Sequence, residues 1–356
     1  MKKLKSVLNH IFIDGLSGMA LGLFSTLIIG TIVEQIGKYI PGVVGQYIVI
    51  IAGVAKSLTG AGIGVGVAAK FKSSPLVTVS AGVAGLVGAF SAKIMAGKVL
   101  TAASVITLTG PGEPLGAFVA ALIGIEIGTL ISGKTKVDII LTPLVTISTG
   151  SVCGLLLGPP ISWLMTQIGG FINWGTEQQP ILMGIIVSVV MGICLTLPIS
   201  SAAIGISLGL NGIAAGAACI GCSAQMIGFA VASYRENKVG GLIAQGVGTS
   251  MLQMPNIVRK PIIWLPPIIS SAILGPISSA VLKMTNDAVG SGMGTSGLVG
   301  QISGYSSLVS GGMSPTLAII EIVGMHIVAP AVLTLIISEG MRKINLIKPG
   351  DMKLET

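Results

Sequence analysis

The chain has 356 residues, of which 52% are hydrophobic and only 9% charged, with 52 glycines and a formal net charge of +8. So few charges exclude an ordinary soluble enzyme, and so many glycines, which in water would read as disorder, in a bilayer read as helices packed through small residues. The basic residues sit in short clusters between apolar runs, as topology determinants do, so the positive charge does not point to nucleic acid.

The start, MKKLKSVLNH, is basic and runs into a long apolar stretch with no small-residue cleavage site, so it reads as a retained cytoplasmic flank. A first crossing is expected over about 11–36, with Asp14 and Glu34 near its two ends, and a second over about 41–69, containing Lys56. The second holds Gly60, Gly62, Gly64 and Gly66, a spacing that does not stripe one helical face and predicts an unwound or very closely approached backbone. A third crossing runs over about 75–97. The punctuated stretch up to Gly110-Pro111-Gly112-Glu113-Pro114 reads as a re-entrant hairpin. The fourth, about 115–132, carries Glu126, and the fifth, about 137–165, carries Pro143 and Gly158-Pro159-Pro160.

The loop 167–179 has no Lys or Arg and carries Trp174, as an external loop would. The stretch 179–237 then organises the rest. It begins as a solid apolar run, breaks at Leu195-Thr-Leu-Pro-Ile-Ser-Ser201, and continues in small and apolar residues to the charged cluster Arg235, Glu236, Lys238. Three passes are expected there, at about 180–197, 200–215 and 216–233. Broken helices at membrane depth are tolerated where they face protein or a wet cavity, and in transporters such breaks hold the substrate. The segment 240–254 is re-entrant or interfacial, 262–283 and 316–337 cross, and 286–315 is Gly/Ser-rich. The expectation is an all-α polytopic membrane protein, a single domain over 1–356. It has about ten crossings, re-entrant or broken segments, a first helical half at about 11–166, a second at about 180–340, and both termini cytoplasmic. The stretches ILTPLVTISTGSVCGLLLGPPISWLM and IIWLPPIISSAILGPISSAVLKM share an early Pro and a later Leu-Gly-Pro, a possible internal repeat.

Ionisable groups inside a bilayer cost about 2.5–3.5 kcal/mol each, so each needs a reason. Lys56, Glu126, Glu321 and His326 are the clearest cases, read as a substrate or proton site or as ion pairs that hold helices together, Lys56 with Glu126 among them. Glu321 and His326 are five apart and point to different faces of a regular helix. Glu113, on a Pro/Gly turn, can accept hydrogen bonds from sugar hydroxyls or simply be a solvated loop residue. Thr196, Pro198, Ser200, Ser201, Asn211 and Gln225 lie in the organising stretch; uncharged polar groups in apolar surroundings suit a polyol, and equally suit bonds between helices. Cys219 and Cys222 form a lone C-x-x-C, read as small side chains at a helix contact, with no second pair to complete a zinc site. Gly292-x-Gly294-x-x-Gly297 lacks a preceding strand and reads as a flexible loop rather than a dinucleotide site. No metal, cofactor or catalytic triad is expected.

Two stretches carry a family resemblance. Residues 140–165, with Pro143, Gly158-Pro159-Pro160-Ile161 and Leu164-Met165, and residues 181–205, ILMGIIVSVVMGICLTLPISSAAIG, resemble the membrane-embedded IIC component of the bacterial sugar phosphotransferase system, fructose/mannitol type. The whole chain is similar to a divergent stand-alone IIC-like group that includes the perfringolysin-regulator membrane protein. The resemblance implies a dimeric sugar or polyol permease of the cell membrane that works with separate IIA and IIB proteins delivering phosphate, and that does no covalent chemistry itself. Where fructose-type members carry a Gly-Pro-Asn turn, this chain reads Thr196-Leu-Pro-Ile-Ser-Ser201, and its Glu113-Pro114 pair lies in the first half rather than the second. Those departures bear on coupling more than on fold. They keep open a membrane sensor with a permease fold and no transport, and an ion-coupled transporter using the buried carboxylates.

Overall fold

The computed structural model describes residues 10–100 and 105–354 of the chain. The basic start and Thr101–Ser104 of the expected hairpin lie outside them. The chain divides into two compact units, Met1–Met165 and Thr166–Thr356. Among the described residues, six helices are long and apolar enough to cross a membrane, or seven if one bent pair counts as a span.

In the first unit, α1 spans His10–Tyr39. Helices α2 (Gly42–Ser57) and α3 (Thr59–Lys70) form the bent pair, 53° apart. Next come α4 (Pro75–Ala89), α5 (Pro114–Ile131) and α6 (Asp138–Thr176), the last carrying the chain on into the second unit. Pro75 and Pro114 occupy first-turn positions, where a missing N–H costs nothing. The residues before them, Ser74 and Glu113, accept from the N–H groups of Val77 and Leu115. The third expected crossing is shorter than its apolar run, because the helix stops at Ala89 and a separate turn, Ser91–Met95, follows.

The alternating glycines are not unwound. They lie on α3, where i, i+4 pairs share a face, so Gly62 and Gly66 form one face and Gly60 and Gly64 the other. A Cβ on Gly66 would fall 2.3 Å from the Gly18 carbonyl oxygen of α1, and one on Gly64 would fall 2.1 Å from the Ala81 carbonyl oxygen of α4. Two interleaved small-residue stripes therefore let one helix touch two neighbours backbone to backbone. Lys56 pairs with Glu34, which also holds Lys38 at 3.4 Å. The pairing with Glu126 does not form; Glu126 instead lies 2.9 Å from His10, whose ring stacks on Phe71.

The second unit contains α7 (Pro180–Thr196), α8 (Ser201–Ser207), α9 (Gly212–Ala232), α10 (Tyr234–Ile243), α11 (Met254–Arg259), α12 (Pro261–Leu282), α13 (Val299–Ser310) and α14 (Pro315–Lys343). Every residue of α9 from Ala215 to Met226 is buried. A helix apolar and small on all sides belongs at the centre, and α9 packs against α7, α12 and α14. The expected crossing at 200–215 is not one helix. Seven residues of α8 rise only about 10 Å. The chain then turns through Gly209, and Gly212 exchanges backbone hydrogen bonds with Asn286 before α9 begins. The segment 240–254 is also broken: α10 runs into a wide turn at Ala244–Gly248, Thr249 is extended, and a tight turn, Ser250–Gln253, leads to α11.

Candidate functional site

The break after α7 gathers polar side chains onto one side of α9. Thr196 is the last residue of α7, because Leu197 is extended and Pro198 has no N–H with which to continue. The Thr196 Oγ1 lies 2.8 Å from Ser250 Oγ and 3.3 Å from Gln225 Oε1. Trp264 donates its indole N–H to the same Gln225 Oε1 at 2.8 Å. An indole nitrogen only donates, so this bond fixes which end of the Gln225 amide is oxygen. The other end, Nε2, is then fully enclosed with no partner. Thr196, Gln225 and Ser250 are each completely buried. A buried N–H left unpaired costs about 1–3 kcal/mol and calls for an explanation.

A second polar patch forms on α9 from other elements. Gln301 of α13 places Nε2 3.0 Å from His326 Nδ1 and 3.5 Å from Ser223 Oγ, leaving its Oε1 enclosed and unpaired. The Cys219 thiol approaches the same ring nitrogen at 3.8 Å. Ser201 donates to the Gly292 carbonyl at 2.6 Å, and a Cβ on Gly294 would meet the Cys222 backbone at 2.7 Å. The G-x-G-x-x-G segment is therefore a tight junction between broken helices rather than a free loop. Cys219 and Cys222 are free and buried, with Cys222 directed at the Met191 and Ser291 carbonyls.

Of the residues singled out in sequence, Thr196 and Gln225 meet directly, and His326 lies in the second patch. Ser200 and Ser201 are buried beside the break, with Pro198 partly buried between Thr196 and Ser200. Asn211 is exposed and donates to the Gly209 carbonyl of its own turn at 2.6 Å. Glu321 is partly buried, with one carboxylate oxygen enclosed and unpaired. Glu113 and Glu126 belong to the first unit. Glu113 caps α5, and burial pushes its carboxyl up to about 7 against the opposing Leu115 N–H. Ser250, Trp264 and Gln301 are new from the structure. Each arrives from a segment 39 to 78 positions from its partner on α7 or α9, a distance no local periodicity encodes.

A polytopic helical membrane protein whose broken helices meet around a buried, uncharged polar cluster belongs to the class of membrane transport proteins. Within that class the chain belongs to the phosphotransferase system EIIC family, whose family model matches residues 13–354. It is thus a multi-pass membrane protein of the sugar-permease type, the component of a system that also includes IIA and IIB proteins. Comparison with curated proteins gave no match.

Proposed function

We propose that this chain binds a neutral sugar or polyol at the Thr196–Gln225–Ser250 cluster and carries it across the membrane, with separate IIA and IIB proteins phosphorylating it. The observation that carries this reading is the Gln225 Nε2 donor, held in place by Trp264 yet unpaired. A sugar hydroxyl supplies the missing acceptor, and the Thr196 and Ser250 hydroxyls flank it as donors or acceptors. Every hydrogen-bonding partner in the cluster is uncharged, which favours hydroxyls over a phosphate or an ion. Pro198, Ser200 and Ser201 form the break beside the sugar, Gln301 and His326 form a second contact region, and Glu321 enters on chemistry alone. Glu113 and Glu126 enter on chemistry alone, as acceptors for sugar hydroxyls.

The reading has eight crossings with both termini cytoplasmic, five in the first unit and three in the second, in a homodimeric protein of the cell membrane and of fructose/mannitol-like, stand-alone type: the six long helices, the bent pair and α4. The ten expected are reduced because α7 runs in the same direction as α9, Ser188 meeting Gly221 and Thr196 meeting Gln225, so that α7 and α8 form a re-entrant hairpin, and because 288–310 returns on itself, with Ser307 Oγ 2.8 Å from Thr285 Oγ1. Exposed apolar faces on α2 and α6, including Val44, Ile51, Ile140 and Leu156, suit lipid or a second copy.

The test is uptake of labelled hexoses and hexitols into proteoliposomes, with and without proton and sodium gradients. Downhill flux of one sugar, lost on Gln225→Leu, supports the reading. Saturable binding without flux makes the protein a sensor, and flux that requires an ion gradient makes it a coupled transporter.

A further inference from the structure

Residues 347–354, after α14, do not trail into solvent. After α14, residues Lys348–Asp351 make a turn closed by Asp351 N–H to Lys348 O, with Gly350 at the left-handed position that turn requires. Residues 351–354 then lie along the second unit, gripped by side-chain amides. Asn237 binds the segment twice, donating from Nδ2 to the Met352 carbonyl at 2.8 Å and accepting the Leu354 N–H at 2.9 Å. Gln253 donates to the same Met352 carbonyl, and Asn256 to the Lys353 carbonyl, each at 2.9 Å. Asp351 pairs with Lys260. Ile347 and Met352 are buried. Backbone read by amides, one acidic side chain met by a lysine and one methionine enclosed are the parts of a peptide-recognition groove.

The groove is wired to the broken segment that carries Ser250. Asn256 donates to Gln253, Gln253 to Gln245, and Gln245 to Ser233 at the end of α9, with every bond between 2.8 and 2.9 Å and all four residues buried. This chain of amides brackets the turn Ser250–Gln253, whose first residue touches Thr196. Lys260 lies four residues before Trp264, the partner of Gln225. The amides therefore tie the tail to both ends of the segment that completes the polar cluster.

We propose that residues 347–354 are a tethered peptide ligand, that the groove of Asn237, Gln253, Asn256 and Lys260 is its binding site, and that occupancy of the groove positions Ser250 and Trp264 against Thr196 and Gln225. The groove stands on its own contacts; only its consequence for sugar rests on the site proposed above. Burial alone would raise the Asp351 carboxyl, but the Lys260 ammonium and the Lys348 N–H bring it below the ordinary range, so the ion pair persists at neutral pH.

The test uses the full chain in a Trp163→Phe, Trp174→Phe background, so that Trp264 alone reports. Hydrogen exchange of residues 344–354 reads the tail, and Trp264 emission reads the segment. Asp351→Lys is expected to speed tail exchange by about tenfold or more and to move Trp264 emission to longer wavelength. Lys260→Asp combined with Asp351→Lys restores the ion pair, though not the bond from the Lys348 N–H, and so recovers part of both changes, which a variant that merely unfolds would not do. Asn237→Ala reproduces the tail effect without touching charge, and excess synthetic peptide Lys348–Leu354 loosens the tethered tail by competition. Unchanged exchange in both Asp351→Lys and Asn237→Ala overturns the groove. A released tail with unchanged Trp264 emission overturns the positioning role. If both readouts respond but Gln225→Leu leaves sugar uptake intact, the groove stands and the sugar-site reading falls.

Discussion

The two units use the same small residues for different ends. In the first, glycines sit inside continuous helices and let α3 touch α1 and α4 along two stripes. The second does this too, with Gly221 of α9 against Ser188 of α7, but it also places glycines where helices stop, and Gly292 and Gly294 let the broken ends press on Ser201 and Cys222. The polar bookkeeping differs too. Among the described residues, buried side-chain atoms without partners in the first unit are the hydroxyls of Thr146 and Ser151, whereas the second also leaves Gln225, Gln301 and Glu321 atoms unpaired. The unpaired amide atoms lie inside helices, Gln225 in α9 and Gln301 in α13, and Gln225 faces the broken end of α7 through Thr196, which is why the proposed sugar site is placed there.

The largest effect expected from breaking this comparison comes from filling a close contact. A Cβ on Gly221 would fall 1.8 Å from the Ser188 carbonyl oxygen, so Gly221→Ala should destabilise by about 3 kcal/mol or more, read as a fall in the detergent melting temperature. Gly53, with open space around it, is the control; Gly53→Ala should leave the melting temperature unchanged or slightly raised.

Next comes pH. Glu113, with its carboxyl raised to about 7, holds a proton in the folded state that the unfolded chain, at 4.5, has lost. Stability should therefore fall as pH rises from about 4.5 to about 7, by up to about 3 kcal/mol, and then level off. Glu113→Gln should flatten that part of a melting curve taken against pH.

Gln225→Leu removes the unpaired donor, so it should cost about 1.5–2.5 kcal/mol in sugar affinity, roughly 10- to 100-fold, and because it also removes the acceptor of Trp264 and Thr196 it should lower stability by about 1–3 kcal/mol, read separately as a melting temperature. The smallest loss is expected at the partly buried pair in the first unit. Lys56→Met should destabilise by about 1–2 kcal/mol, because Glu34 keeps Lys38, and Glu34→Met added to it should recover most of that. If Lys56→Met instead abolished sugar binding with stability intact, the reading of the Lys56–Glu34 pair as a packing contact would be wrong.

Much of this was legible in the sequence. Apolar run length placed the long helices, and Thr196-Leu-Pro marked the break, because a proline after an apolar run acts locally. Pairings were not legible. Lys56 met Glu34, 22 residues earlier, rather than Glu126, because a hairpin of two helices brings near neighbours together. The glycine alternation named close approach but not the two faces that make it compatible with a regular helix. Ser250 and Trp264 gave no signal, since a serine in a Gly-rich stretch and a tryptophan after two basic residues look like loop and interface. The tail carries Arg342, Lys343, Lys348 and Lys353, and that basic composition hides the fact that Asp351 and Met352 are the residues it anchors with.

The shortness of α4 has a consequence for the surrounding lipid. Its 15 residues rise about 22 Å, against a hydrocarbon core of about 30 Å. Lysines flank it on both sides, Lys70 and Lys72 before and Lys93 after, the last reaching back to the Thr109 carbonyl. A hydrophobic stretch too short for its bilayer thins the membrane around it or lets flanking lysines stretch to the headgroups. Shortening the acyl chains of the host lipid should therefore raise the melting temperature of the protein.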